Sequence, residues 1–114
     1  MNSRLTMIIL LAAATGAASR AAAQAPDGKA IYDENCKKCH GVVGRPPKTM
    51  KEKFPKIYTF DAKFIAERSD DSVVKILTKG KNEDMKSFKD KLSPAEMAAV
   101  AKYVRELGSR THEP

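Results

Sequence analysis

Tryptophan is absent from this 114-residue chain, aromatic residues make up only 6% of it, and cysteine occurs just twice. Each scarcity excludes something. With cysteines only at positions 36 and 39, no disulfide framework can staple the fold beyond that pair. With so few aromatics, a chain this short buries a modest core of its own. Beyond residue 23 there is no internal repeat, no low-complexity segment and no run that reads as a strand. Long apolar runs are lacking too. The longest, from Leu5 to about Ala18 with Gly16 and Ser19 towards its end, falls short of the about 20 residues that span a bilayer.

What that apolar run does resemble is an export leader. Met1 to Ser3 and Arg4 form a short basic start, Met7-Ile8-Ile9-Leu10-Leu11 is the apolar heart, and Ala21-Ala22-Ala23 supplies small residues for a signal peptidase. Cleavage after Ala23, leaving Gln24 first, is preferred over cleavage after Ala25, which would put Pro26 next. The expected organisation is therefore a signal peptide over 1–23 and one domain over 24–114, with its core at about 27–108. Removal of the leader takes Arg4 and Arg20 but no acid, leaving about 91 residues with a formal charge near +5. Lysines are spread along the remainder and mixed with acids. That pattern, with an exported location, argues against nucleic acid and against stable membrane insertion after processing. A monomer is expected.

Local signals place helices in the mature chain. Asp27 is an N-cap type residue, and the helix it starts runs to about Lys37, so the cysteines fall at its end. Gly41, Gly44, Pro46 and Pro47 then forbid regular structure and imply a loop. A second helix is expected from Asp61 to about Arg68, with Phe60, Phe64 and Ile65 as its apolar contribution. A third begins at Ser69 or Asp70, carries the stripe Val73, Val74, Ile76 and Leu77, and stops at Gly80. The last has the clearest start: Ser93-Pro94-Ala95-Glu96 joins an N-cap serine, a first-turn proline and a capping-box glutamate. Met97, Val100, Ala101, Val104 and Leu107 follow at helical spacing, and Gly108 is expected to end it. The fold class is all-α.

Five consecutive residues carry the chemistry. Cys36-Lys37-Lys38-Cys39-His40 is a C-x-x-C-H run, the attachment signature of a c-type haem. Two thiols about one helical turn apart suit the two vinyl groups to which they add as thioethers. The histidine that follows is carried under the macrocycle as proximal iron ligand. A porphyrin also explains how a chain so poor in aromatics fills its core.

A second axial ligand must come from Met50, Met85, Met97 or His112. Met97 belongs to the apolar stripe of the last helix, where packing explains it. His112 lies in a polar tail, and Met50 is only ten residues from His40, a tight path around the ring. Met85 fits best, because it sits among polar neighbours between two helices and has little other reason to be there. Histidine–methionine ligation favours ferrous iron and leaves no vacant coordination position, which describes an electron carrier and not an enzyme. A backbone carbonyl of Pro46 or Pro47 is expected to orient the free ring N–H of His40.

On Gly28-x-x-x-Tyr32, the C-x-x-C-H run, Met85-Lys86-Ser87-Phe88 and Val100-x-x-Tyr103, the chain resembles the small monohaem class I cytochromes c of bacteria. The resemblance covers about Asp27 to Leu107. It implies a cytochrome c fold of about four helices around one covalent haem c with its iron. It further implies that the first and last helices pack together, with Gly28 and Tyr32 on one face, and that His40 and Met85 are the axial ligands. Relatives often use a tryptophan N–H on a haem propionate; here Tyr58, Arg68 or a lysine must serve.

The leading functional expectation is a periplasmic electron carrier shuttling between a membrane reductase or periplasmic dehydrogenase and an oxidase or reductase. Lys37 and Lys38, with Lys86 and Lys89, would form a rim that steers acidic partners. The alternative is a haem-based sensor or peroxidase-like protein whose distal position is open. A thiol–disulfide protein would need a strand-rich context before C-x-x-C, which is missing. A zinc site would need about four ligands where only three cluster.

Overall fold

In the computed structural model, the described residues are 25–110. The expected leader and His112 lie outside them. Among the described residues there are six helices and no strand: α1 (Gly28–Asn35), α2 (Lys37–His40), α3 (Lys48–Lys53), α4 (Ala62–Glu67), α5 (Asp70–Lys79) and α6 (Pro94–Arg110).

The caps that set these helices are the ones the sequence signalled. Asp27 accepts from the backbone N–H of Lys29 and Ala30 at 3.0 and 3.2 Å. Asp61 accepts from Phe64 at 2.9 Å, and Ser69 from Ser72 at 3.2 Å. At α6 the capping box is reciprocal: Glu96 N–H donates to Ser93 Oγ at 3.1 Å and Ser93 N–H to Glu96 Oε1 at 3.0 Å. Each bond satisfies a donor that a helix start otherwise leaves to water.

Three expectations about helix boundaries need correction. The first helix breaks at Cys36, whose φ of −122° separates α1 from the single turn of α2. The stretch after His40 is not loop throughout, because α3 begins directly after Pro47. Proline sets a φ suited to a helix start, but α3 has no buried residue and so no apolar stripe to betray it. Gly108, expected to end the last helix, lies inside it. A Cβ there would run into the Ile65 side chain, so this glycine serves α4–α6 packing and does not act as a cap.

The core is a seam along α6. Met97, Val100, Ala101, Tyr103, Val104 and Leu107 are all buried on it and meet α1, α4 and α5. Against them lie Ile31 and Tyr32 from α1, Phe64 from α4 and Leu77 from α5, with Phe60 and Leu92 from the connections. Burying each large side chain contributes about 1.5–3 kcal/mol, so this seam outweighs any surface contact. Arg105 of α6 adds a polar tie, bonding the Arg68 carbonyl at 2.8 Å and pairing with Asp70. The first and last helices do pack together, with Tyr32 and Tyr103 edge to face at 5.3 Å between ring centroids.

Gly28 makes that crossing possible. A Cβ at this position would strike the Ala99 carbonyl oxygen and stand 3.1 Å from Tyr103 Cβ. Gly28→Ala would gain at most about 1 kcal/mol of helix propensity. Forcing two packed helices apart costs about 1–3 kcal/mol. The clash wins, and the melting temperature should fall by about 4–8 °C per net kcal/mol lost. Thermal unfolding followed by circular dichroism checks this; an unchanged melting temperature would show that the crossing has slack.

Candidate cofactor site

The site is built on the turn that follows α1. Cys36 N–H continues the helix by donating to the Tyr32 carbonyl at 2.8 Å. The Cys36 carbonyl then accepts from Cys39 and His40 at 3.2 and 2.9 Å, which coils the pentapeptide into one tight turn. Its two faces differ. Lys37 and Lys38 are exposed, Cys36 and Cys39 are half-buried, and His40 is 9% exposed. Cys36 and His40 face a cavity.

The His40 ring is held on two sides. Phe60 stacks on it with centroids 4.7 Å apart and planes 18° from parallel. Nδ1 lies 3.3 Å from the Tyr58 carbonyl. A carbonyl only accepts, so Nδ1 carries the proton and Nε2 keeps its lone pair. The bond thus runs to Tyr58, in place of the expected carbonyl of Pro46 or Pro47. Pro46 is buried nearby in sequence and Pro47 caps α3. Burial pushes the His40 pKa down to about 4, so the ring is neutral at pH 7, the form that ligates metal. Burial, and then the neighbouring Cys39, push the Cys36 thiol up to about 11. A protonated, apolar-set thiol is the opposite of the low-pKa nucleophile that disulfide exchange requires.

The cavity wall is almost wholly hydrocarbon and aromatic. Tyr58, Phe60 and Phe64 form one side, Val73, Ile76 and Leu77 of α5 another, and Val100 and Val104 of α6 the back. Cys36 and His40 enter from the turn, and Met85 enters from the loop between α5 and α6. Of the three candidates for a second axial ligand among the described residues, Met85 is the one on this wall. Met97 is in the core at 3% exposure, and Met50 is half-buried on α3. An imidazole nitrogen, a thiol and a thioether converge on this apolar cavity, and the second thiol, Cys39, lies half-buried on the same turn without lining it; together they are the donor set of a thioether-linked porphyrin and its iron. The residues fit that group.

Charge gathers at one edge of the wall. The Arg68 guanidinium lies 4.2 Å from the Tyr58 ring centroid and 4.9 Å from that of Phe64. Lys81 Nζ lies 3.7 Å over the same Tyr58 ring and also bonds its hydroxyl. Partial burial lowers the Lys81 pKa. The structure therefore brings Tyr58 and Arg68 together beside the cavity. Lys37, Lys38, Lys86 and Lys89 are all exposed. A larger open groove of about 350 Å³, which includes Val42, Val43 and Tyr103 in its lining, holds none of the nitrogen and sulfur donors just described.

Sequence reading missed the parts of the site that are backbone or stacking. The Tyr58 carbonyl has no sequence signature. Phe60, expected to serve the second helix, precedes α4 and is pinned by its N–H to the Gly44 carbonyl at 2.8 Å. Asn82, which bonds the turn that carries Met85, belongs to no motif either.

With the geometry in view, likeness to known proteins becomes informative. Residues 23–104 match the family described as cytochrome c oxidase, cbb3-type, subunit III. The chain belongs to that family. It is 32% identical over 89 residues to the cbb3-type cytochrome c oxidase subunit CcoP of Azospirillum brasilense, an alignment covering 76% of this chain. The chain spans only 30% of the length of that relative. Among solved structures it is similar to the KustC0563 c-type cytochrome, at 35% identity and a TM-score of 0.64, over 71% of this chain and 96% of that one. A tyrosine-to-phenylalanine mutant of that cytochrome aligns at 34% identity and a TM-score of 0.63, over 71% and 98%. The all-helical fold is thus a c-type cytochrome fold, and the family carries covalently bound haem c with its iron. Haem-based electron transfer follows from that membership.

Tyr32 ties this cytochrome's site to its core. Its hydroxyl donates to the Gly41 carbonyl at 2.7 Å, directly after His40, and the residue is wholly buried. Tyr32→Phe leaves that carbonyl only the longer bond from the Gly44 N–H, at 3.4 Å, and should cost about 1 kcal/mol, read by chemical denaturation. Burial raises the Tyr32 pKa far above the ordinary 10.0. The folded state therefore holds this proton where the unfolded chain releases it, and stability falls as pH climbs past about 10. In alkaline titration at about 295 nm, where phenolate absorbs, one of the three tyrosines should ionise only with unfolding, and this phase should vanish in Tyr32→Phe. Three equally accessible phenols would contradict the burial.

Proposed function

We propose that this chain is a periplasmic one-electron carrier whose haem is joined to Cys36 and Cys39 and bound axially by His40 and Met85. The observation that carries the reading is the convergence of Cys36, His40 and Met85 on one apolar cavity. When bound, haem c supplies an iron(III)/iron(II) couple that accepts or gives one electron. The residues do the rest. Tyr58 and Phe60 fix the His40 ring, so Nε2 keeps one direction in both redox states. The hydrocarbon wall excludes water, and Met85 would bind the iron from the loop side and leave no position open to oxygen or peroxide. Arg68 and Lys81, beside Tyr58, are placed to pair with propionates, the role that tryptophan fills in relatives.

Partners are read from charge. Lys37 and Lys38 project from the turn that bears both thioethers, and Lys86 and Lys89 follow Met85. An acidic face on a reductase, dehydrogenase or oxidase complements such a rim. Likeness to an oxidase subunit supports a second reading, in which the domain hands electrons on within an oxidase complex. Co-purification with oxidase subunits after mild detergent extraction distinguishes it from a free shuttle. Among the described residues no helix is long and apolar enough to cross a membrane. The expected leader supports export.

Two experiments test the proposal. The purified protein should exceed its polypeptide mass by one haem and show the near-infrared methionine-to-ferric band. Met85→Ala should lose that band, lower the reduction potential and admit carbon monoxide to the reduced protein. A band that survives Met85→Ala removes this residue from the iron. For docking, Lys37→Glu with Lys38→Glu should slow reduction by an acidic redox partner about tenfold at low ionic strength, and much less at high salt. Equal rates for variant and parent at low salt would dismiss the rim.

A further inference from the structure

The two axial ligands of the proposed reading are held by different kinds of force. His40 is locked by aromatic stacking in the core. The Met85 side chain packs against the core, but its neighbours Lys81, Asn82, Glu83, Asp84 and Lys86 are all exposed, so packing leaves the backbone of that segment unheld. Methionine has a flexible side chain, and ordering each loop residue costs about 1–2 kcal/mol. Something other than the core must hold the backbone that aims this sulfur.

The hydrogen bonds identify it. Asn82 Oδ1 accepts from both Asp84 N–H, at 3.0 Å, and Met85 N–H, at 2.9 Å. The Met85 carbonyl in turn accepts from Lys81 and Asn82 N–H at 2.9 and 3.4 Å. Both peptide groups of Met85 are thereby gripped by residues 81 and 82, and Asn82 holds it by side chain and main chain together. Gly80 lets the loop close: its φ is +75°, and a Cβ would stand 2.7 Å from Ser87 N. Ser87 Oγ and Phe88 N–H then fasten the loop's exit to the carbonyls of Thr78 and Leu77, at 2.5 and 2.7 Å. Gly80 and Ser87 clamp the ends of the loop; between them, Asn82 supplies the side-chain bonds to the turn itself.

We propose that Asn82 is the positioning residue for the sixth ligand: its side-chain carbonyl closes the 82–85 turn and so presents the Met85 sulfur to the cavity. This rests on the reading of Met85 as axial ligand. The chemistry needed is an acceptor of fixed reach; neither charge nor a donor is required. Aspartate at this position retains it and alanine removes it. Because the turn is exposed, water can satisfy the freed N–H groups, and global stability should change little. What changes is how often the sulfur is in place.

The test uses the haem-loaded wild type, Asn82→Ala, Asn82→Asp and Met85→Ala. Asn82→Ala should weaken the methionine-to-ferric band and speed carbon monoxide binding to the reduced protein about tenfold, the effect expected on losing a hydrogen bond that preorganises a ligand. Asn82→Asp should restore both, and the melting temperatures should nearly coincide. A merely structural turn residue would move the melting temperature and leave band and rate alone. Asn82→Ala matching wild type in band and rate, while Met85→Ala loses the band, overturns the Asn82 assignment alone. A wild type without the band overturns the ligand reading and this proposal with it. Should Asn82→Ala fail to accumulate, hydrogen exchange in the wild type decides. The amides of Asp84 and Met85 should exchange more slowly than that of Glu83, and an unprotected Met85 amide overturns the proposal.

Discussion

The structure turns on one wholly buried phenol. Tyr32 faces Tyr103 across the α1–α6 crossing and meets Phe60 edge to face at 6.3 Å. Its own carbonyl receives the Cys36 N–H, and its hydroxyl reaches the Gly41 carbonyl. The residues between those two attachments are the C-x-x-C-H turn. A rigid hydrophobic crossing, permitted by Gly28, is thus joined at two points to the segment that carries the chemistry. Whatever holds α1 against α6 also holds the cysteines and the histidine. Interiors packed this tightly transmit displacement and do not absorb it.

From that fixed turn the two sides of the cavity diverge in character. On the His40 side, the Phe60 ring and Tyr58 carbonyl are themselves anchored, by Gly44 and by the packing of Phe60 against Phe64 with centroids 5.0 Å apart. On the Met85 side, hydrogen bonds in an exposed loop take over. A side chain locked by the core and one presented by a solvated loop have different opening free energies, since local openings draw on the least-packed segments. The Met85 segment is therefore the part of the cavity wall that opens first.

Much of this was legible in the sequence because it is written in side chains with local jobs. Asp27, Asp61, Ser69 and the Ser93–Glu96 pair cap the helices they were read as starting, and Gly80 ends α5. The cavity collects Cys36, His40 and Met85, which periodicity alone would not have assembled. What escaped was of another kind. The His40 partner is a peptide carbonyl, and any residue owns one, so choosing proline over Tyr58 had no physical lever. Gly108 looked like a stop because local grammar is blind to Ile65 across the helix interface. The helix α3 lacks an apolar face, so the hydrophobic pattern had nothing to report. Local signals fix helix starts; tertiary contacts decide what a glycine or a carbonyl is for.

The division of labour within the turn also limits how this cytochrome can vary. Cys36 and His40 face the cavity from this turn, Cys39 between them is half-buried, and Lys37 and Lys38 are exposed. One element thus bears both the buried donors and exposed positive charge. Because exposed charges act through a screened field while buried donors act through contact, the outer pair can change sign or size without disturbing the inner three. The converse does not hold. Any change at His40 reaches Phe60, then Tyr32, and through it the α1–α6 crossing. Partner choice can therefore drift on this scaffold while the cofactor pocket stays fixed, which is the arrangement a domain needs if it is to serve in different electron-transfer assemblies.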